Sequence, residues 1–261
     1  MDILEKIVRD KKQEVALKKE LVSVPHLEQL PLFDRKSPSL AKALKSSGMG
    51  IIAEHKRRSP SRAVINNGLS VWDVAKGYQN AGACGMSVLT DGKYFGGSLD
   101  DLVMARAAAA LPLLRKDFTI DEYQILEAKA YGADVILLIA AVLNPKQIKK
   151  FSELASSLDL EILLEVHNQD ELDRSPLAGI QMVGVNNRNL KTFEVNLDTS
   201  RKLAEGIPED FVKVSESGIS NIAAIRDLNG YGYQGFLIGE NFMKTDDPGR
   251  SALDFITNLK K

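Results

Sequence analysis

The residues best suited to acid-base chemistry stand at the ends of short apolar runs. GIIAEHKRRSP, residues 50–60, carries Glu54 and Lys56. LLRKDF ends another run with Lys116, LLEVH ends a third with Glu165, and GVNNRN ends a fourth with Asn186 and Arg188. Alternate side chains of an extended chain point the same way, so Glu54 and Lys56 share a face while His55 turns to the other, where it reads as structural. Two carboxylates and two ammoniums in one pocket can balance each other's charge and still leave an acid and a base for proton transfer. Any one of them is also at home as a solvated group at a wet strand end. Their recurrence at the same place in successive units is what points to a site.

The elements that must position them follow from the pattern. From Gly50 onward, short aliphatic runs at 51–54, 86–89, 113–116, 135–139, 162–166, 182–185, 212–215 and 236–238 alternate with segments of helical period at 72–78, 99–109, 123–130, 145–158 and 223–228. Ser70, Ser98, Asp121, Asn144 and Ser220 are the candidate helix caps. Strands that are nearly all apolar belong to a sheet covered on both faces, and eight strand-helix units in about 200 residues match a closed (βα)8, or TIM, barrel of the α/β class. An open doubly wound sheet is the second reading. In a barrel, the carboxyl ends of the strands form the active-site face, which brings the four charged run ends to one mouth.

Residues 1–49 fall outside the alternation. Ile3, Leu4, Ile7, Val8, Val15 and Leu17 can share a helical face, and a second helix is expected near 39–44. The whole chain, 1–261, is therefore expected to be one barrel domain with residues 1–49 as an N-terminal helical extension. That extension is expected to pack on the barrel.

With 261 residues, 44% hydrophobic, 26% charged and a formal net charge of -1, nothing in the composition recruits nucleic acid or an anionic membrane surface. No apolar stretch approaches the roughly 18 residues needed to span a bilayer. Cys84 is the only cysteine and the N-terminus lacks an apolar signal core, so a cytoplasmic protein acting on a small molecule is expected. His26, His55 and His167 are too scattered for a metal site, and neither a metal nor a thiol nucleophile is expected.

Strands seven and eight carry a second signal. VSESGIS places Ser217 and Gly218, and FLIGENFM places Gly239 and Glu240, just before helical segments, as in the phosphate sites that follow the last two strands of many barrels. Either glycine would also serve in a plain turn. GYGYQG, residues 230–235, spells a dinucleotide fingerprint but precedes a strand instead of following one, which removes its meaning. DGKYFGGSL, 91–99, reads as a loop over the mouth or as a simple connection into a helix.

AEHKRRSPS, SVLTDGKYFGGS, LLRKDFTIDEYQILEAKAYGAD, LLEVH, GVNNRNLKTF, VSESGI and GFLIGENFM together resemble, in order and spacing, the motifs of the indole-3-glycerol phosphate synthase family, across residues 51–248. Two positions depart from that pattern: His55, and Arg62-Ala63 where a glycine is usual. The resemblance implies a carboxy-lyase of tryptophan biosynthesis that needs no cofactor. Its reaction closes 1-(2-carboxyphenylamino)-1-deoxyribulose 5-phosphate to indole-3-glycerol phosphate with loss of carbon dioxide and water. It further implies Lys116 as general acid, Glu165 as base, Lys56 as second acid or anion anchor, Glu54 as their orienting partner and Asn186 as a hydroxyl ligand. Ser59, Phe118, Leu137, Arg188 and Glu216 would bind substrate, and Ser217, Gly218, Gly239 and Glu240 its phosphate. Two other classes remain open on the residues: a barrel that binds the sugar phosphate without turnover, and an isomerase of phosphoribosylanthranilate. Partner enzymes of the same pathway are not readable from the chain.

Overall fold

The computed structural model describes residues 2–261. Eight parallel strands pair in chain order: β1 (Gly50–His55), β2 (Gly85–Leu89), β3 (Leu113–Lys116), β4 (Val135–Ile139), β5 (Glu161–Val166), β6 (Met182–Asn186), β7 (Val212–Glu216) and β8 (Tyr233–Ile238). β8 returns to β1 through Gly50↔Gly235 and Ala53↔Ile238, so the sheet is closed and the open doubly wound alternative is excluded.

The period-two rule divides each strand between two cores. Ile52, Leu114, Val135, Leu137, Ile139, Leu163, Val212 and Val214 fill the barrel interior. Their neighbours Ile51, Leu113, Ile136, Leu138, Ile162 and Leu164 face the helices outside. The helix Leu40–Ser47 plugs the lower end with Leu40 and Leu44, and glycines make room for it. A Cβ on Gly50 would lie 2.6 Å from Leu44 Cδ2, and one on Gly85 the same distance from Leu40 Cδ1.

Most expected strands and helices match the structure to within a few residues, and the differences are local. Ser98, Asp121 and Asn144 cap their helices through side-chain oxygens, but Ser70 makes no such bond and the cap expected at Ser220 falls on Asn221, which accepts from Ala224 N at 2.9 Å. Five further helical pieces were not among the expected ones, including Asp198–Leu203 and Pro248–Leu259. The segment 91–99 is a short helix, Gly92–Phe95, capped by Asp91 and tied down by Arg58, which donates to the carbonyls of Gly92 and Lys93 at 2.6 and 3.1 Å.

The helix Ile3–Leu21 lies against Glu122–Ala130, with Val15 and Leu27 packed on Tyr123 and Ala130. Leu17 does not share that face. It is two residues from Val15, about 200° around the helix, and is 57% exposed. What anchors the helix is electrostatic. Lys11 is 1% exposed, and its ammonium lies 2.9 Å from Asp91, 3.0 Å from Asp117 and 2.8 Å from Glu14. Burial works against the ammonium, but the three carboxylates outweigh it and hold Lys11 well above its ordinary range. Asp117, equally buried, is held far below the carboxylate range by Lys11 and Arg115.

Lys11→Met should therefore leave buried Asp91 without a cation and buried Asp117 with Arg115 alone, and cost about 3–5 kcal/mol, read as a lower urea midpoint. The lowered pKa of Asp117 gives stability that is present above its unfolded value, about 4, and is lost as pH falls toward the folded value. In the variant this acid-side loss should shrink. An unchanged midpoint would contradict the anchoring role.

Candidate active site

The parity that fills the barrel also aims the charged residues. Glu54 is two residues beyond the inward Ile52, Lys116 two beyond Leu114, Glu165 two beyond Leu163, and Glu216 two beyond Val214, so all four turn into the mouth at the carboxyl ends of their strands. There they line one cavity of about 440 Å³. Lys56, Ser59, Phe118, Leu137, Asn186, Arg188, Ser217, Gly218, Gly239 and Glu240 line it too. Every residue the sequence assigned to the site thus lines one cavity.

Lys116 sits at the centre. Its Nζ donates to Glu165 Oε2 at 2.8 Å and lies 2.9 Å from Glu216 Oε2. Burial disfavours the ammonium, but Glu165, Glu216 and Glu54 together push its pKa far above the usual lysine range. The two carboxylates respond in opposite directions. Burial raises Glu165, but Lys116, His167 and a hydrogen bond from Asn186 Nδ2 (3.2 Å) outweigh this and keep it ionised. Glu216 has fewer donors. Burial, then the charge of Glu165, lift it toward neutrality against the pull of Lys116, and its Oε1 lies over Gly184 without a hydrogen-bond partner. One carboxylate is left charged and the other is left able to carry a proton, the division that acid-base chemistry requires.

Glu54 forms the second pair. Its Oε1 accepts from Lys56 Nζ at 2.5 Å, its Oε2 from Ser87 at 3.4 Å, and its backbone carbonyl accepts from Tyr78 on the helix layer at 3.1 Å. Gly239 leaves the space this carboxylate needs, since a Cβ there would lie 2.5 Å from Glu54 Oε1. Gly239→Ala should displace Glu54 and Lys56 and lower kcat by about 10 to 10². Wild-type kcat in that variant would remove the pair from the chemistry.

His55 faces outward, is buried, and falls to about 4 because of burial and then Arg57, so it stays neutral. Ser59 sits in a tight turn with Arg62, whose guanidinium pairs with Glu240 across the mouth. Arg62, one of the two residues at which the loop departs from the expected motif, thus links the loop after β1 to the residue after β8. Arg188 is held by its own N–H, which donates to Asn186 Oδ1 at 3.0 Å, and by its Nη1, which donates to Phe193 O at 3.1 Å.

Several lining residues carried no functional signal in the sequence. Ile3, Leu4 and Ile7 reach the cavity from the N-terminal helix, whose apolar stripe reads as packing alone. Phe95 lines it from the short helix after β2, with its ring 6.1 Å from that of Phe118. His167, which does not line the cavity, stands beside Glu165: it lies 3.3 Å from Glu165 Oε1 with no hydrogen bond from its Nε2, and its Nδ1 is 3.2 Å from Glu171. Lys244 adds a cation beyond β8.

A family model described as indole-3-glycerol phosphate synthase matches residues 4–255. A curated protein of that name from Bacteroides thetaiotaomicron is 46% identical over 259 residues, 99% of either chain. The chain belongs to the indole-3-glycerol phosphate synthase family. A second protein of that name, from Polaromonas sp. strain JS666, is 44% identical over 252 residues, covering 95% of this chain and 96% of its own. Among solved structures, KGPDC from Streptococcus mutans superposes with a TM-score of 0.61 at 14% identity, over 81% of this chain and 97% of that one. Thiamine phosphate pyrophosphorylase from Pyrococcus furiosus gives 0.59 at 16%, over 82% and 98%. At such identities these two share the barrel and nothing finer.

Proposed function

We propose that this cavity closes the indole ring of indole-3-glycerol phosphate, taking the carboxyphenylamino deoxyribulose phosphate as substrate and releasing carbon dioxide and water. The observation that carries this reading is the Lys116 ammonium held between Glu165 and Glu216 at 2.8 and 2.9 Å, with the Glu54–Lys56 pair in the same cavity. Phe118 and Leu137 offer the aromatic ring an apolar wall, where burial supplies about 25 cal/mol per Å².

As the ring carbon attacks the ketone, negative charge grows on the ketone oxygen. An ammonium already fixed in the site stabilises that charge without reorganising. Held as firmly as it is, Lys116 acts first as a charge partner, and its proton becomes transferable as the oxygen gains basicity. Loss of carbon dioxide restores the benzene ring. A proton must then leave the new five-membered ring and the hydroxyl must depart as water. Glu165, ionised, takes the proton; Lys56, oriented by Glu54, protonates the leaving hydroxyl or anchors a substrate anion.

Asn186 hydrogen-bonds a substrate hydroxyl, Ser59, Arg188 and Glu216 complete the pocket, and the backbone around Ser217, Gly218, Gly239 and Glu240 receives the phosphate. On this reading residues 1–261 act as a single domain in the cytoplasm, with the 1–49 extension closing one side of the cavity.

Purified protein should convert the carboxyphenylamino sugar phosphate to a fluorescent indole product without added metal. Turnover of phosphoribosylanthranilate instead, in a side-by-side assay, would replace this reading with the isomerase. Tight substrate binding with no product would replace it with a binding protein.

A further inference from the structure

We infer that Asn187 is a positioning residue for the phosphate end of the site, its buried carboxamide fixing the turn through which Ser217 and Gly218 present their backbone to the cavity. The inference rests on the phosphate reading above. Ser217 has φ +66° and Gly218 φ +78°. Glycine adopts such angles freely, but a serine does so only where its surroundings hold it there. Val195 closes the outer side, since a Cβ on Gly218 would lie 2.3 Å from Val195 Cγ1.

Asn187 supplies the hold. It is buried at the outer side of β6, one residue past the inward-facing Asn186. Its backbone N–H donates to Glu216 O at 2.9 Å. Its Nδ2 donates to Ser215 Oγ and Glu216 O, both at 2.9 Å, and to Ser217 O at 3.2 Å. Its Oδ1 accepts from Ser200 N at 3.1 Å and Ser200 Oγ at 2.8 Å. Ser200 is fixed in turn by Tyr233, whose hydroxyl donates to Ser200 O at 2.7 Å.

The consequence follows from peptide geometry. Each peptide is planar and trans, so its carbonyl and N–H point in opposite directions. With the carbonyls of Glu216 and Ser217 both drawn outward to Asn187, the N–H groups of Ser217 and Gly218 turn inward, toward the cavity both residues line. Among the described residues neither of these N–H groups donates to a backbone acceptor. The carboxamide suits this task because it has donors at one end and an acceptor at the other. An aspartate would set a negative oxygen against two carbonyls.

The test measures competitive inhibition by inorganic phosphate, alongside KM and kcat, in Asn187→Ala and Asn187→Ser. The phosphate inhibition constant and KM should both rise about tenfold, equivalent to about 1.4 kcal/mol, while kcat changes by less than about threefold. In a Ser217→Gly background the same Asn187→Ala change should cost less than about threefold, because glycine reaches positive φ without being held. Cooperatively melting Asn187 variants with wild-type phosphate inhibition would overturn the inference, as would an equal loss in the Ser217→Gly background. If phosphate does not compete in the wild type and Gly218→Ala leaves KM unchanged, the phosphate reading itself falls and takes this inference with it.

Discussion

Lys116→Met should lose about 10² to 10⁴ in kcat, the range typical for removing a general acid. Two effects add. The oxygen of the ketone loses the only ammonium held between Glu165 and Glu216, 2.8 and 2.9 Å away. Those two carboxylates, both buried, then lose their shared cation, so like-charge repulsion drives at least one to take up a proton. Glu216, already lifted toward neutrality, takes that proton first, and Glu165 loses the cation that does most to hold its pKa down, so its basicity changes through a substitution at another residue. Lys116→Arg should not restore the rate, because a planar guanidinium fork cannot occupy the place of a compact ammonium. Substrate should still bind, since the proposed phosphate cradle and apolar wall are untouched, and carbon dioxide release should fall by the same factor as indole formation. Turnover within tenfold of wild type, in a variant with unchanged far-ultraviolet circular dichroism, would remove Lys116 from its role.

Glu165→Gln should fall by a similar factor, about 10² to 10⁴, but at a later step. Glutamine keeps the volume and an oxygen to accept from Asn186 Nδ2, and Lys116 retains Glu216 as its partner. The first half of the reaction can therefore proceed. Single-turnover experiments should show carbon dioxide released without a matching amount of indole, because the closed-ring intermediate waits for a base. Lys116→Met should slow both alike. If Glu165→Gln slowed carbon dioxide release as much as Lys116→Met, the proton-abstraction role would be wrong and Glu165 would be no more than the lysine's counter-ion.

The contrast between these variants shows what the sequence carries. The inward aim of Glu54, Lys116, Glu165 and Glu216 is written in strand parity, because a residue two positions past a buried aliphatic must face the same way. The glycines proposed for the phosphate end are legible because they sit where the strands stop. Lys11 and Asn187 are not legible in that way. Lys11 lies in a helix whose apolar stripe suggests hydrophobic docking, and its partners Asp91 and Asp117 are far along the chain, so no local spacing reveals the pairing. Asn187 looks like a spacer between Asn186 and Arg188, and only the folded β6–β7 neighbourhood shows what its carboxamide holds. Leu17 fails for the opposite reason: it is apolar and near the stripe in sequence, yet the helix turns it away.

The central claim is that the ammonium of Lys116 addresses the ketone oxygen of a substrate whose phosphate rests on the β7 and β8 exits. A crystal structure of Lys116→Met with the carboxyphenylamino sugar phosphate bound tests it most directly. The phosphate should lie on the backbone of Ser217, Gly218, Gly239 and Glu240, the aromatic ring against Phe118 and Leu137, and the ketone oxygen within hydrogen-bond reach of the vacated Nζ position. A ketone oxygen pointing away from that position, with Glu165 remote from the carbon that must lose its proton, would contradict it.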